Sequence, residues 1–192
     1  MTDLDIHIEG LTSPRVQSLL NYIGKHSTTY LEVGTYLGAT AAGALAGNKL
    51  KAYLVDDWKN NIQPAEADFT LPDNNKEDFL INIEPYKKTN DVVVLDSDIF
   101  EVDISSIKNV DFFFYDGPHD HASVSKAVQY YASCFSSGAI LVFDDANWTD
   151  TYTGADEGIK KSGLEVVYKK KVINKIESKK DWWNGLYIIV LA

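Results

Sequence analysis

Five short apolar runs separated by stretches with helical spacing constrain the fold of this chain more than any other feature. They are Tyr30–Gly34, Lys51–Asp56, Asp91–Leu95, Val110–Tyr115 and Ala139–Phe143. Strands joined by helical crossovers run parallel, and a parallel sheet needs cover on both faces, which explains why these runs are apolar throughout rather than alternating. Two more strand-like runs follow, Leu164–Val172 and Gly185–Ala192. No helix fits between Val172 and Trp182, so this last pair is predicted to form an antiparallel hairpin. The expectation is an α/β, doubly wound, seven-stranded and mostly parallel sheet. With no internal repeat and no linker, residues 1–192 are read as one domain.

The helical stretches carry their own signals. Ser13-Pro14 is a hydroxyl cap with proline at the first helical position, ahead of Val16, Leu19, Leu20 and Ile23 on one face. Small residues from Ala39 to Gly47 form the second, and Phe79, Leu80 and Ile83 mark a third over Lys76–Tyr86. A short helix is expected over Ile99–Ile107. The next carries Val124, Ala127, Val128, Tyr131 and Phe135, with Ser136-Ser137-Gly138 as its stop. The last is expected over about Asp156–Ser162. Between Asn60 and Asn75 the sequence is polar, with Pro64 and Pro72, and reads as a long surface loop of the kind that often serves as a lid. Lys169, Lys170, Lys171, Lys175, Lys179 and Lys180 in the hairpin region read as a solvated edge that discourages sheet-to-sheet association.

Composition narrows the function. A chain of 192 residues with 45% hydrophobic and 24% charged residues has material for a sizeable core and is neither disordered nor fibrous. A net charge of −10 disfavours a nucleic-acid partner and mildly attracts cationic ligands. Cys134 is the only cysteine, so no disulfide forms within the chain, which agrees with a reducing cytoplasm. The first residues lack a basic-then-apolar leader, and no run approaches the roughly 20 apolar residues that span a bilayer. A cytoplasmic protein with no membrane association is expected.

The chemistry collects where the strands end. In open α/β sheets ligands bind outside the carboxyl ends of the strands. Here the first run ends in Gly34-Thr35-Tyr36-Leu37-Gly38, and a small-residue helix follows at once. Glycines permit close approach, and a helix start offers free N–H groups to a polar ligand. The spacing is Glu32-x-Gly34-x-x-x-Gly38, which differs from the Gly-x-Gly-x-x-Gly of dinucleotide-binding turns and argues against a dinucleotide-dependent oxidoreductase. Asp56 stands 22 residues after Gly34 at the next strand end, the position from which a carboxylate accepts hydrogen bonds from ribose hydroxyls. A helix cap is its competing explanation. Asp98 and Ile99 follow the third strand and are placed to hold the edge and face of an adenine ring. Asp116 and Asp144-Asp145 end the fourth and fifth strands. These carboxylates form an all-oxygen set suited to a hard cation such as Mg²⁺, provided the chain turns between Asp144 and Asp145. Solvent-facing strand ends and helix caps are the alternative. His119, three residues beyond Asp116, is a candidate general base, since imidazole titrates near neutrality.

In this order the motifs resemble the class I S-adenosylmethionine-dependent methyltransferases, particularly their metal-dependent small-molecule O-methyltransferases acting on sugars, macrolides or catechols. Leu31-Glu-Val-Gly-Thr-Tyr-Leu-Gly38 is similar to that family's first motif, Phe112-Phe-Phe-Tyr-Asp-Gly-Pro-His119 to its strand-end Asp-Gly-x-His, and Phe143-Asp144-Asp145 to its paired acidic ligands. The resemblance implies a Rossmann-like sheet with a terminal hairpin. It also implies S-adenosyl-L-methionine (SAM) bound by Glu32, Gly34, Thr35, Tyr36, Gly38, Asp56, Asp57, Ser97, Asp98, Ile99 and Asp116. Mg²⁺ would be held by Asp116, Asp144 and Asp145, with His119 and Asp116 catalytic. The expected partner is a small-molecule hydroxyl acceptor, and relatives of this kind are often dimers. A metal-independent methyltransferase and a non-catalytic nucleoside-binding protein of the same fold are the alternatives.

Overall fold

The computed structural model describes Leu4, residues 6–59, residues 75–173 and residues 181–192. Seven strands form one sheet: β1 Thr29–Val33, β2 Lys51–Asp56, β3 Asp91–Asp96, β4 Val110–Tyr115, β5 Phe135–Phe143, β6 Val166–Val172 and β7 Leu186–Leu191. Their spatial order is β3-β2-β1-β4-β5-β7-β6. β1 to β5 pair in parallel, while β7 runs antiparallel to both β5 and β6. The chain reverses its direction of travel across the sheet between β1 and β4, the place where a crevice opens at the carboxyl ends.

Among the described residues five α-helices cover the faces: α1 Pro14–Gly24, α2 Ala39–Leu45, α3 Asn75–Ile83, α4 His121–Tyr131 and α5 Thr149–Lys161. Alternation along each strand divides the core in two. Leu31, Val33, Tyr53, Val55, Phe113 and Tyr115 pack with Val124, Val128 and Tyr131 of α4 and Ala155 and Ile159 of α5. Tyr30, Ala52, Leu54, Phe112 and Phe114 face α1, α2 and α3 through Val16, Leu20, Ala41, Ala44 and Phe79. Ser13 caps α1 by accepting a hydrogen bond from the Val16 amide at 3.2 Å, and its own hydroxyl donates to the Asp181 carbonyl. The start of α1 is thereby tied to the chain entering β7.

Several boundaries differ from those expected. The helix read through Phe135 ends at Tyr131, passes through a 3-10 turn at Ala132–Cys134, and gives way to β5 at Phe135. Gly138 (φ +75°) is therefore no helix stop. It lies inside β5, where the pairing with β4 shifts register between Val110 and Phe112, as a glycine permits at an irregular strand position. In place of a helix at Ile99–Ile107 there is a 3-10 turn, Ile104–Ser106, and α3 continues into another at Glu84–Lys88, with Pro85 at its start. α5 begins at Thr149, seven residues before the expected start. Its sequence, Thr-Asp-Thr-Tyr-Thr-Gly, has poor helix propensity, and packing against α4 decides the outcome. Gly154 and Gly158 let the two helices close up: a Cβ on Gly154 would stand 2.6 Å from the His121 carbonyl oxygen, and one on Gly158 2.6 Å from the Val128 Cβ. The expected loop at residues 60–74 and Lys175, Lys179 and Lys180 of the hairpin connection lie outside the described residues. Of the remaining lysines, Lys169 pairs with Asp156, and Lys171 sits over the Tyr152 ring at 3.4 Å.

The tight α4–α5 contact predicts that Gly158→Ala destabilises the protein by about 1–3 kcal/mol through overpacking. Gly163→Ala, at a positive-φ position with open space around it, should cost only about 1 kcal/mol, from backbone strain alone. Urea denaturation of the two variants measures the difference.

Candidate functional site

The carboxyl ends of β1, β2, β4 and β5 meet around the turn that follows β1. Gly34 (φ +86°) sits so close to the end of β4 that a Cβ there would lie inside the Asp116 carbonyl oxygen. The Asp116 amide donates to the Val33 carbonyl at 2.8 Å, and the Gly34 amide donates to Val55 at 2.9 Å. Gly38 (φ +86°) leaves room for another part of the protein: a Cβ would stand 3.1 Å from the Phe79 ring of α3. The expectation was that these glycines clear space for a ligand. In the fold, the place a Cβ would occupy at each glycine is taken up by Asp116 and Phe79.

Glu32 is completely buried on the α1–α2 side of the sheet. One carboxyl oxygen accepts from Thr40 Oγ1 at 2.6 Å and the other from the Tyr30 hydroxyl. Burial pushes its pKa up to about 8, against the lowering effect of those two hydroxyls. Glu32 thus braces the turn from beneath through α2. Asp56 braces it from the side: its oxygens accept the Tyr36 and Trp58 amides, each at 2.8 Å. Burial raises its pKa, and the amides oppose the shift. Trp58 in turn donates from Nε1 to the Tyr36 carbonyl at 2.9 Å. Asp57 accepts the Lys59 amide at 3.1 Å and pairs with the Lys59 ammonium at 3.4 Å. Thr35 is nearly fully buried, and its hydroxyl has no partner among the described residues.

Ser97 reaches the same edge through its amide, which donates to the Asp56 carbonyl at 3.1 Å. The Asp98 carboxylate accepts the Phe100 amide at 2.8 Å, and the Ile99 carbonyl accepts the Tyr131 hydroxyl at 2.6 Å. The Ile99 side chain reaches the Asp116-Gly117 loop, 3.3 Å from where a Gly117 Cβ would be. Ser97, Asp98 and Ile99 therefore form a ledge between β3 and β4.

Across the turn, His119 Nε2 lies 3.0 Å from Asp145 Oδ2 and 3.6 Å from Asp116 Oδ1. One donor atom from each of Asp116, His119 and Asp145 falls within 4.8 Å of the others. Asp144 is outside this group, although the sequence pattern paired it with Asp145. The chain does turn between them, with Asp145 at φ +55°, and only Asp145 reaches His119. Asp144 is buried, accepts the Asp145 amide at 2.9 Å, and has its pKa raised well above the carboxylate range by burial first and by Asp145 second. The ring of Trp148 stands edge-on to His119, with centroids 5.3 Å apart and planes at 74°.

Backbone strain concentrates here. Tyr36, Trp58, Asp145 and Trp183 all have positive φ and lie at the carboxyl edge. Such conformations are costly for bulky side chains and cluster at functional sites. The sequence places Trp148 in a loop suited to an acceptor but gives no sign of the hydroxyl clamp on Glu32. Tyr30 shares a strand face with Glu32 and was legible from period-2 spacing, whereas Thr40 arrives from a different element.

The chain matches the methyltransferase domain family over residues 31–146, more than half its length, and it belongs to that family. No curated protein matches the sequence. Solved structures share the fold. An O-methyltransferase from Bacillus cereus in complex with S-adenosylhomocysteine (SAH) has a TM-score of 0.60 at 14% identity, over 92% of this chain and 79% of that one. Fibrillarin from Aeropyrum pernix, with natively bound SAM, has a TM-score of 0.59 at 13% identity over 92% and 73%. A Streptococcus mutans protein described as a SAM-dependent methyltransferase has a TM-score of 0.61 at 13% identity over 92% of this chain. The present chain spans 47% of that protein, about half its length. At these identities the likeness is one of fold. Among the described residues no helix is long and apolar enough to cross a membrane.

The buried Glu32 carboxyl sets a pH dependence. Its pKa rises from 4.5 when unfolded to about 8 when folded, so the native state holds the extra proton and stability falls as pH rises through that interval. Asp144 acts in the same direction. Wild-type stability should therefore drop between pH 5.5 and pH 8, with Glu32 contributing up to about 3 kcal/mol of that drop. Glu32→Gln should remove the Glu32 share of the drop and leave only the part due to Asp144. Urea midpoints at the two pH values measure it, and a wild type more stable at pH 8 would contradict the assignment.

Proposed function

We propose that this protein transfers a methyl group from SAM to a hydroxyl of a small molecule. The observation that carries the reading is the convergence of Asp116, His119 and Asp145 beside a turn braced by the ends of β2 and β4 and, through Glu32, by α2. In this reading the cofactor lies along the β1 turn, at Gly34, Thr35, Tyr36 and Gly38. Its ribose is placed toward Asp56 and Asp57, and its adenine lies on the Ser97–Ile99 ledge. Asp56 has spare acceptor capacity for this, since a carboxylate offers about four lone-pair sites and the backbone amides that reach it, of Tyr36, Trp58 and Thr35, leave part of them open. The acidic edge suits a sulfonium cation.

The acceptor oxygen attacks the methyl carbon as the carbon–sulfur bond breaks, which leaves a neutral thioether. The hydroxyl proton passes to His119 Nε2, where Asp145 and Asp116 stabilise the imidazolium. Holding the reactants in line supplies much of the rate, so rigid bracing of the turn matters to chemistry as well as to folding.

A metal-assisted form of the reaction also has support in the donor set. Two donors about 2.1 Å from a shared ion lie roughly 3.0–3.6 Å apart at angles between a right angle and trigonal, and the His119 separations fall in that range. A divalent cation held by Asp116, His119 and Asp145 would lower the pKa of the acceptor hydroxyl. The set contains an imidazole nitrogen, so it suits Mn²⁺ or Zn²⁺ better than the Mg²⁺ expected for three carboxylates. Nε2 cannot be ligand and proton acceptor at once, which makes the two forms mutually exclusive.

Calorimetric titration should give binding of SAM and SAH and none of NAD; absence of SAM and SAH binding would overturn the proposal. His119→Ala should leave SAH affinity within about twofold and lower methyl transfer by about 10²-fold or more, the usual scale for losing an acid–base group. Mn²⁺ titration separates the two forms: binding in the wild type that His119→Ala abolishes favours the metal form, and EDTA-resistant turnover favours the metal-free one.

A further inference from the structure

Trp148 belongs to no brace of the turn and no part of the proton path, yet it stands beside both. Its backbone is fixed: the amide donates to the Asp145 carbonyl at 3.0 Å, and the residue occupies the position just before α5. Its ring contacts the imidazole edge-on, and the residue is left 42% exposed. A large apolar ring exposed at that level loses part of the burial energy it could gain in a core. Most of the sheet's other aromatics, including Phe112, Phe113, Phe114, Tyr115 and Phe143, are fully buried. Tyr115, His119 and Trp148 form a series of perpendicular contacts, with centroid spacings of 6.5 Å and 5.3 Å, which leads from the core out to an open ring.

We infer that Trp148 is the residue that selects the acceptor: its exposed face receives the flat face of a hydroxyl-bearing ring and so directs that hydroxyl at His119. This rests on the methyl-transfer reading for the hydroxyl's fate, but ring binding itself is a separate property. Two chemistries offer such a face, an aromatic ring through stacking and a pyranose through its C–H bonds. Asp116 and Asp145 flank the imidazole, so an anionic ring is disfavoured relative to a neutral one. An acyclic alcohol presents the hydroxyl without the face and should gain nothing from Trp148.

The test uses the full chain with SAH added and ¹⁵N-labelled tryptophan, which gives one indole N–H signal for each of the four tryptophans. Trp148→Phe identifies the Trp148 signal by its loss. Catechol, methyl glucoside and propanol are titrated separately. The expected result is a saturable shift of the Trp148 signal with catechol, methyl glucoside or both, and none with propanol. The responding ring compound identifies the source of the face. Its affinity, followed from ligand signals, should fall at least tenfold in Trp148→Ala and stay within about threefold in Trp148→Phe, with SAH affinity unchanged in both. Equal response to propanol, no response to either ring compound, or equal affinity in Trp148→Ala would overturn the inference. Ring binding without any methyl transfer would count against the proposed reaction and leave the ring site standing.

Discussion

The contact on which this structure depends is the one between Gly34 and the Asp116 carbonyl. β1 and β4 are adjacent parallel strands, and at their carboxyl ends the chain leaves β1 in a left-handed turn pressed directly against the backbone leaving β4. A side chain at Gly34 would push these two exits apart. Because they touch, the turn proposed to hold the methyl donor and the loop carrying Asp116 and His119 form one body. The spacing between the β1 turn and the Asp116–His119 loop is then fixed by backbone packing.

The other braces extend the same design. Glu32 ties the turn down to α2 through Thr40, Asp56 ties it sideways to β2 through two amides, and Trp58 closes over the Tyr36 carbonyl. Each brace uses a polar group removed from water. Glu32 pays a desolvation penalty large enough to favour its protonated form near neutral pH. Such groups are retained when they hold a geometry that an apolar substitute could not, and here that geometry includes strained backbone at Tyr36 and Trp58.

Much of the architecture was readable because its causes are local or periodic. Apolar runs at strand length, helical spacing between them, and the missing helix before the last strand led to the parallel sheet and its antiparallel end. The readings that failed share one cause, the competition between weak local preference and tertiary packing. Thr149–Gly154 is a poor helix sequence that becomes helical because Gly154 and Gly158 fit against α4. Phe135–Gly138 looks like the end of a helix but joins β5, because Val110 of β4 and Ala192 beyond β7 offer it hydrogen-bond partners. At the site, the sequence placed Asp116, His119, Asp144 and Asp145 at the right edge of the sheet and grouped Asp144 with Asp145. The turn at Asp145 divides that pair, sending Asp144 inward and Asp145 toward His119.

By itself, then, the sequence determined which residues could bear chemistry and at which edge they would gather, since strand period and strand order follow from the pattern of apolar residues. Only the tertiary structure decided what each one faces. The glycines of the first turn make room for Asp116 and Phe79, Glu32 serves the interior, His119 takes the place in the acidic cluster that Asp144 was expected to fill, and Trp148 is left open beside it. The physical reason is that side-chain direction at a strand end depends on one or two backbone dihedrals. Those dihedrals are set by contacts among β1, β4 and β5, strands that lie far apart in the chain.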